Sequence, residues 1–239
     1  MTLRPVDQPL GWLAGHSSPF ENPSLQHPIL LVSGATRTVE SLIPHPRLGQ
    51  FVTPRTGNDI ARIARAGHAW AADNDALAGI DPDAYLTMLV QIAATDRTHL
   101  RFVAVPDSVT MTEAGPVGDW PGTLVLFASW RRALTRRALP AAIVLQDGAT
   151  IDTVPWQHIQ AVFVGGSSAW KEGEAAQVIM REAIARGCHV HVGRINTLRR
   201  YWALHGLFHS YDGTGFSKWP SNIRWMLENT SQQRFLTEC

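Results

Sequence analysis

The stretch Ala161-Val-Phe-Val-Gly-Gly-Ser-Ser-Ala-Trp-Lys171 begins as an uninterrupted apolar run and then turns into two glycines. A second stretch runs from His189-Val-His-Val-Gly-Arg194 to His209-Ser-Tyr-Asp-Gly-Thr214, where short strand-like runs again end in glycine, aspartate or a basic residue. Such runs are typical of buried strands in a parallel sheet. Because an α/β barrel delivers the C-terminal ends of its strands to one face, we expect these terminal residues to line an active site.

Five further strand candidates precede these stretches, and helical patterns separate most of the eight. This alternation predicts an α/β fold, a single (β/α)8 TIM-like barrel over residues 29–239, preceded by an irregular, proline-rich arm over residues 1–28. An open doubly wound sheet is the alternative, since the first two strands are weakly marked. The predicted strands are residues 28–34, 50–53, 68–73, 100–107, 141–146, 161–165, 189–193 and 207–211. The predicted helices are residues 58–66, 81–96, 123–138, 154–160, 173–186, 197–205 and 221–228.

Bulk composition narrows the class of protein. The 239 residues are 45% hydrophobic, which is ordinary for a chain with a full core. A net charge of +1 gives no global attraction to nucleic acid, so any such binding needs a local patch. Two cysteines, Cys188 and Cys239, cannot build a disulfide framework or a cysteine-cluster zinc site. Neither a signal peptide nor a run of ~20 apolar residues is evident, so we expect a soluble cytoplasmic protein without membrane contact.

Polar residues and glycines follow six consecutive predicted strands. One carboxylate among them is suited to attack a sugar anomeric carbon and form a covalent ester, while a second transfers a proton to or from the departing group. An aspartate and a glutamine offer complementary acceptor and donor edges to a flat heterocycle, and a Gly-Gly pair allows a ligand close to the backbone. Each aspartate alone is also an ordinary helix cap or turn residue. The strand-end residues are Asp73-Asn74-Asp75, Asp107, Gln146-Asp147-Gly148, Gly165-Gly166, Gly193-Arg194-Ile195-Asn196 and Asp212-Gly213.

The order of these elements resembles the tRNA-guanine transglycosylase superfamily, which exchanges guanine for a 7-deazaguanine through an aspartyl-glycosyl intermediate. The resemblance covers residues 73–212. It implies a general acid/base after the third strand, base recognition after the fourth, fifth and sixth, and a nucleophile after the eighth. By position these are Asp73 as acid/base, Asp107, Gln146, Gly165 and Gly166 as base-binding residues, and Asp212 as nucleophile.

Two departures refine the resemblance. The tRNA enzymes carry a Cys-x-Cys-x-x-Cys…His zinc subdomain that two cysteines cannot form, and Asp73-Asn74-Asp75 stands where the family usually has Asp-Ser-Gly-Gly. With these departures and its short length, the chain is similar to the compact, largely phage-encoded branch of the superfamily that inserts 7-deazaguanines such as preQ0 into DNA. The resemblance therefore implies DNA and a free 7-deazaguanine base as partners, no cofactor and no metal, and the host cytoplasm if the chain is phage-encoded. A tRNA substrate and a need for a partner subunit stay open.

Basic and aromatic residues supply candidate contacts to the polymer. Arg194, Lys171 and Asn196 follow strand ends and are candidates for a phosphate or the ribose. Contacts to nucleic acid are predicted at Arg199, Arg200, Lys218 and Trp219, because basic side chains meet phosphates and aromatic rings stack on extruded bases. Trp202 and Trp225 are expected to face the core. His189 and His191 alternate with valines, so both point to one side of a strand, where packing or a structural hydrogen bond is expected rather than metal binding.

Three other functions remain compatible with the sequence. The same aspartates would serve a tRNA-guanine transglycosylase. If water resolves the ester, the chain is an N-glycosidase that releases free guanine. A catalytically inactive barrel that binds nucleic acid or a partner is the non-enzymatic alternative.

Overall fold

The computed structural model describes residues 23–34, 36–113, 115–219 and 221–231, and within them eight parallel strands close into a barrel. The strands are β1 (Ile29–Ser33), β2 (Leu48–Val52), β3 (Trp70–Ala72), β4 (Leu100–Ala104), β5 (Val109–Thr112), β6 (Gly115–Gly118), β7 (Ala141–Leu145), β8 (Ala161–Val164), β9 (His189–Val192) and β10 (Ser210–Tyr211). Neighbouring barrel strands pair in the order β1-β2-β3-β4-β7-β8-β9-β10, and β10 pairs with β1 to close the barrel.

Helices connect most consecutive barrel strands on the outside of the barrel. Several begin at a side chain that accepts a hydrogen bond from the first turn, as Asp81 does for Asp83 and Ala84. The helices are α1 (Pro23–Gln26), α2 (Thr36–Leu42), α3 (Ile60–Arg65), α4 (Pro82–Ala93), α5 (Trp120–Thr135), α6 (Ser168–Glu172), α7 (Glu174–Ala185), α8 (Leu198–Leu204), α9 (Thr214–Lys218) and α10 (Ser221–Asn229).

Closure of the sheet confirms the predicted (β/α)8 barrel. Strand β1 pairs in parallel with both β10, through Ile29 opposite Ser210, and β2, through Leu30 opposite Leu48. A closed sheet has no free edge, which rules out the open doubly wound alternative. Among the described residues, no helix is both long and apolar enough to traverse a lipid bilayer.

Alternation along the strands creates two apolar layers. In β8, Ala161 and Phe163 belong to a cluster inside the barrel, whereas Val162 and Val164 belong to the larger layer that also holds the helix residues. Successive side chains of a strand point to opposite faces, so a strand buried on both faces becomes a continuous apolar run. Each strand therefore ends where the apolar packing ends, which puts its polar terminal residues at the barrel mouth.

The structure differs from several predicted boundaries. The predicted loop after β4 contains the antiparallel hairpin β5–β6, and the helix predicted over residues 154–160 is replaced by two 3-10 turns, Ile151–Thr153 and Trp156–His158. The helix predicted over residues 173–186 ends at Ala185 and follows a separate α6, because the backbone of Gly173 is extended (φ −80°, ψ 161°). The predicted eighth strand is reduced to Ser210–Tyr211.

The predicted arm lies mostly outside the described residues. Within it the structure describes residues 23–28, of which Pro23–Gln26 form α1.

Candidate active site

A cavity of ≈ 200 Å³ opens at the C-terminal ends of the barrel strands. Residues that follow β3, β4, β7, β8, β9 and β10 line it together with the hairpin. A larger hollow of ≈ 310 Å³ lies away from the strand ends beside α2 and α3 and is bordered by the surface ion pair Arg62–Glu40. The predicted site residues in the cavity wall are Asp73, Asp107, Gln146, Gly165, Gly166, Arg194 and Asp212.

Two hydrogen bonds fix the carboxylate of Asp212. The backbone N–H of Arg194 donates to Oδ1 at 2.9 Å, and Nε2 of His191 lies 3.1 Å from Oδ2. The backbone of Asp212 is held as well, since its carbonyl accepts from Ile195 N at 2.7 Å. With its side chain 16% exposed, the carboxylate is oriented by the protein and still reachable from the cavity.

Arg194 ties three strand ends together in a strained conformation. Its φ of 61° is in the left-handed region, which costs a residue other than glycine ~1–3 kcal/mol at such sites. In this conformation its N–H faces Asp212, and its guanidinium donates to the carbonyl oxygens of Gly165 and Gly166. Arg200 holds the turn from behind by donating from Nη1 to the Arg194 carbonyl at 3.0 Å.

Asp107 stands at the centre of a buried hydrogen-bond network on the opposite wall. Asn74 Nδ2 donates to its Oδ1 at 2.8 Å, and Gln146 Nε2 donates to its Oδ2. Gln146 Oε1 in turn accepts from Gly166 N at 3.0 Å. Burial raises the pKa of Asp107 to about 6, against the opposing effect of these donors and of Arg194. These hydrogen bonds hold the carboxylate of Asp107 and the amide of Gln146 in fixed orientations in the cavity wall.

The hairpin packs directly on this network. Gly118 of β6 lies so close to Gln146 that an added Cβ would stand 2.0 Å from its Oε1. Only glycine permits that approach, so the hairpin and the amide of Gln146 are held as one unit.

The two glycines that follow β8 lie in the cavity wall, and their backbone N–H groups are bonded within the protein. Gly165 N donates to Leu145 O at 2.9 Å and Gly166 N donates to Gln146, so both N–H groups already have partners. The backbone at this point shapes the wall and positions Gln146, and it does not offer free donors to a ligand.

Asp73 is an acid at neutral pH. Removal from water raises its pKa to about 8, and the nearby carboxylates of Asp212, Asp107 and Asp75 add to the increase. A hydrogen bond from Asn74 N to its Oδ1 at 2.8 Å acts in the opposite direction. A protonated carboxyl group in the same cavity as the carboxylate of Asp212 is the pairing that distinct acid and nucleophile roles require.

The structure does not bring every predicted residue to the cavity. Lys171 is fully buried and donates from Nζ to the Gly193 carbonyl at 2.6 Å, which leaves no surface for the predicted phosphate or ribose contact. Burial, with Arg194 nearby, lowers the pKa of its ammonium to about 7. Asn196 is exposed outside the cavity wall and accepts from Gly215 N at 3.3 Å, while Thr197 caps α8.

The predicted nucleic-acid contacts divide into two kinds. Arg199 and Arg200 both donate to Glu172, and these hydrogen bonds lower the pKa of that carboxyl to about 2. Arg200 is largely committed to this ion pair and to Arg194, whereas the side chain of Arg199 remains 71% exposed. Lys218 and Trp219 are exposed on α9 and just after it, close in sequence to Asp212.

The expectation for the other two tryptophans is half correct. Trp202 is partly buried and packs against the core, whereas Trp225 of α10 is exposed, so its predicted core position is wrong.

The sequence does not indicate a role in the reaction for two residues of the site. Asn74 stands between two aspartates, and its position in a polar strand end is the one available signal. For His191 the sequence predicts packing or a structural hydrogen bond, and the structure has both: the ring lies among Phe51, Phe102 and Phe163 inside the barrel and is hydrogen-bonded to Asp212. No group of three metal-ligating side chains is found in the part of the chain that the structure describes.

Comparisons with known proteins give information about the fold. No protein-family model and no curated protein sequence matches the chain. Among solved structures, tryptophan synthase from M. tuberculosis matches with a TM-score of 0.53 and 10% identity, over 87% of this chain and 91% of that chain. The carboxyl transferase domain of Rhizobium etli pyruvate carboxylase gives 12% identity over 78% of this chain and 40% of that chain, with a TM-score of 0.44 that is too low to bear on the fold. At 10% identity the first match shows a shared fold alone.

Proposed function

We propose that this protein is a transglycosylase that exchanges guanine in DNA for a 7-deazaguanine such as preQ0. The observation that carries the proposal is the pairing of a protonated Asp73 with a hydrogen-bonded Asp212 carboxylate in one small cavity. The cavity volume of ≈ 200 Å³ is below the ~300–1,000 Å³ of pockets for drug-sized ligands, which suits a single base. The resemblance in the order of strand-end residues supplies the choice of reaction and of DNA.

In the first half-reaction, a carboxylate oxygen of Asp212 attacks C1′ of the target deoxyguanosine. The C1′–N9 bond breaks with its electron pair on N9, and the proton of Asp73 neutralises the departing guanine. The products are free guanine, an aspartyl ester to the sugar and an ionised Asp73.

In the second half-reaction, Asp73 accepts the proton from N9 of the incoming 7-deazaguanine. N9 attacks C1′, the ester bond breaks and the Asp212 carboxylate is restored. Asp107 and Gln146 face both bases in turn, and their acceptor and donor atoms suit the edge that guanine and 7-deazaguanines share.

Access to a base in duplex DNA requires that its nucleotide be flipped out, at a cost of roughly a few kcal/mol. Trp219 is 64% exposed and Trp225 49% exposed, with the basic Lys218 and Arg224 beside them in sequence. Aromatic faces next to cations are suited to stack on a base and to neutralise phosphates. Lys218 and Trp219 follow the Asp212 loop in the chain, and we assign these two residues to the strand from which the base is extruded.

The test is incorporation of labelled guanine and of preQ0 into duplex DNA, with tRNA as a parallel substrate. We expect incorporation into DNA and a denaturant-resistant protein–DNA adduct that Asp212→Asn abolishes. Incorporation into tRNA alone would change the polymer, and release of free guanine with an abasic product would change the enzyme into an N-glycosidase. No incorporation, release or adduct with any of these substrates would leave only a nucleic-acid-binding barrel.

A further inference from the structure

A column of hydrogen-bonded side chains runs inside the barrel and ends at Asp212. Nε2 of His189 lies 2.7 Å from Oγ of Ser210, the same Oγ lies 2.9 Å from Nδ1 of His191, and Nε2 of His191 lies 3.1 Å from Oδ2 of Asp212. His191 and Ser210 are fully buried. The proposed reaction uses Asp212 and leaves the other three members without a role.

The column follows from strand periodicity and register. His189 and His191 are two residues apart on β9, and Ser210 and Asp212 are two apart at β10, so each pair projects from one face of its strand. Ser210 stands opposite His191 in the parallel pairing of these strands. The four side chains therefore interleave along the barrel interior and end at its mouth.

The number of protons on these groups determines which atom donates in each hydrogen bond of the column. With Asp212 ionised, as a nucleophile must be, His191 Nε2 is the donor of the last hydrogen bond. If Nδ1 of His191 also donated to Ser210, the ring would be a cation with no exposure to solvent, packed among three phenylalanines, and its attraction to Asp212 on one edge would have to offset the full cost of removing that charge from water. The Ser210 hydroxyl therefore donates to Nδ1, and its oxygen accepts from Nε2 of His189. Burial, with His209 and His191 nearby, lowers the pKa of His189 well below its usual value, which agrees with a neutral ring there.

We propose that His191, held as its Nε2–H tautomer by the Ser210 hydroxyl, is a positioning residue that aims the Asp212 carboxylate at the sugar. Its N–H occupies one side of Oδ2, and the Arg194 N–H occupies one side of Oδ1. The carboxylate is thereby fixed in plane and rotation while lone pairs remain for attack. This role and the tautomer, which follows from an ionised nucleophile, rest on the proposed function, whereas the hydrogen bond between His191 and Asp212 does not.

A matched pair of variants separates the donor from the packing. His191→Phe places a phenyl ring among phenylalanines and removes the N–H, whereas His191→Gln keeps a side-chain amide donor. We expect Phe to slow Asp212-dependent adduct formation about 10- to 100-fold, as loss of a hydrogen bond to a charged group does, with base affinity unchanged. Gln should recover most of that loss, and Ser210→Ala should fall between Gln and Phe. Adduct formation by His191→Phe at the wild-type rate, or equal slowing by Gln and Phe in folded proteins, would overturn the proposal.

A second measurement is independent of catalysis. Nitrogen-15 NMR of the histidine rings in the wild-type protein should show His191 protonated at Nε2 and unprotonated at Nδ1, and the Nε2 resonance should shift in Asp212→Ala. The opposite tautomer would overturn the inference even if base exchange is observed. If the wild-type protein forms no adduct but the Nε2–H tautomer is found, the proposed function fails while the hydrogen-bonded column stands without its catalytic role.

Discussion

Replacement of Asp73 by asparagine should stabilise the protein in a manner that depends on pH. Asparagine keeps the shape of the side chain and removes the ionisable proton. The folded-state pKa of about 8 exceeds the unfolded value of 3.8, so from pH 3.8 to 8 the folded protein retains a proton that the unfolded chain releases. Wild-type stability therefore falls as pH rises through this window, whereas the Asp73→Asn protein does not lose stability from this ionisation.

The size of the effect follows from the same two pKa values. At ~1.4 kcal/mol per pH unit, ionisation of Asp73 in the unfolded chain lowers the stability of the folded protein by about 2 kcal/mol at pH 5, about 4 at pH 7 and about 6 at pH 9, relative to a side chain that does not titrate. The stabilisation by Asp73→Asn should thus grow by about 4 kcal/mol between pH 5 and pH 9. Urea denaturation of both proteins at the three pH values measures it.

A matched control is Glu113→Gln, which makes the same carboxylate-to-amide replacement at an exposed position on the hairpin. The Asp73→Asn protein should also lose base exchange by ~10²–10⁴-fold, since it has no proton to transfer. If its stability gain does not increase between pH 5 and pH 9, Asp73 is not the protonated acid described above, and the proton-transfer step loses its basis.

Three further perturbations test other parts of the site. Gly193→Ala should lower the free energy of unfolding by ~1–3 kcal/mol and slow adduct formation, because its Cβ would stand 2.5 Å from the Phe163 ring. The control in thermal and urea melts is Gly215→Ala, whose Cβ would meet no atom closer than 3.7 Å. Lys171→Met should be more stable than wild type at pH 6 and should lose that gain by pH 10. The reason is that the pKa of Lys171, about 7 in the folded state and 10.5 in the unfolded chain, makes wild-type stability rise between pH 7 and 10.5. Equal gains at pH 6 and pH 10 in urea titrations would contradict the burial of the ammonium. Trp219→Ala should weaken duplex DNA binding by ~1–3 kcal/mol in fluorescence titrations and leave free-base binding unchanged, whereas an equal loss of both would argue against stacking on DNA.

The part of the site that could be predicted consists of residues tied to strand ends. An apolar run closed by aspartate or glycine is a local signal, and parallel connection sends all such ends to one face. Asp73, Asp107, Gln146 and Asp212 could therefore be expected in one cavity, where the structure has them. The shared orientation of His189 and His191 is likewise confirmed, because it depends only on the period of a strand.

The remaining features depend on pairs of residues that are distant in the chain. The sequence predicts Arg200 as a phosphate contact, because its partner Glu172 of α6 is brought close only by the packing of α8 near α6. For His191 the strand pattern predicts packing or a structural hydrogen bond, but its partners are set by the register of β9 and β10, which puts it opposite Ser210 and next to Asp212. Local composition predicts neither strand register nor helix packing.

Local periodicity and turn residues, read along the chain, were thus enough to specify eight strands, a barrel and the face on which its chemistry would lie. Closure of the barrel decided the protonation of Asp73, the burial of Lys171 and the hydrogen bonds that aim Asp212. The physical reason is that periodicity is a property of neighbours in sequence, whereas a pKa or a hydrogen-bond partner depends on which distant groups exclude water together.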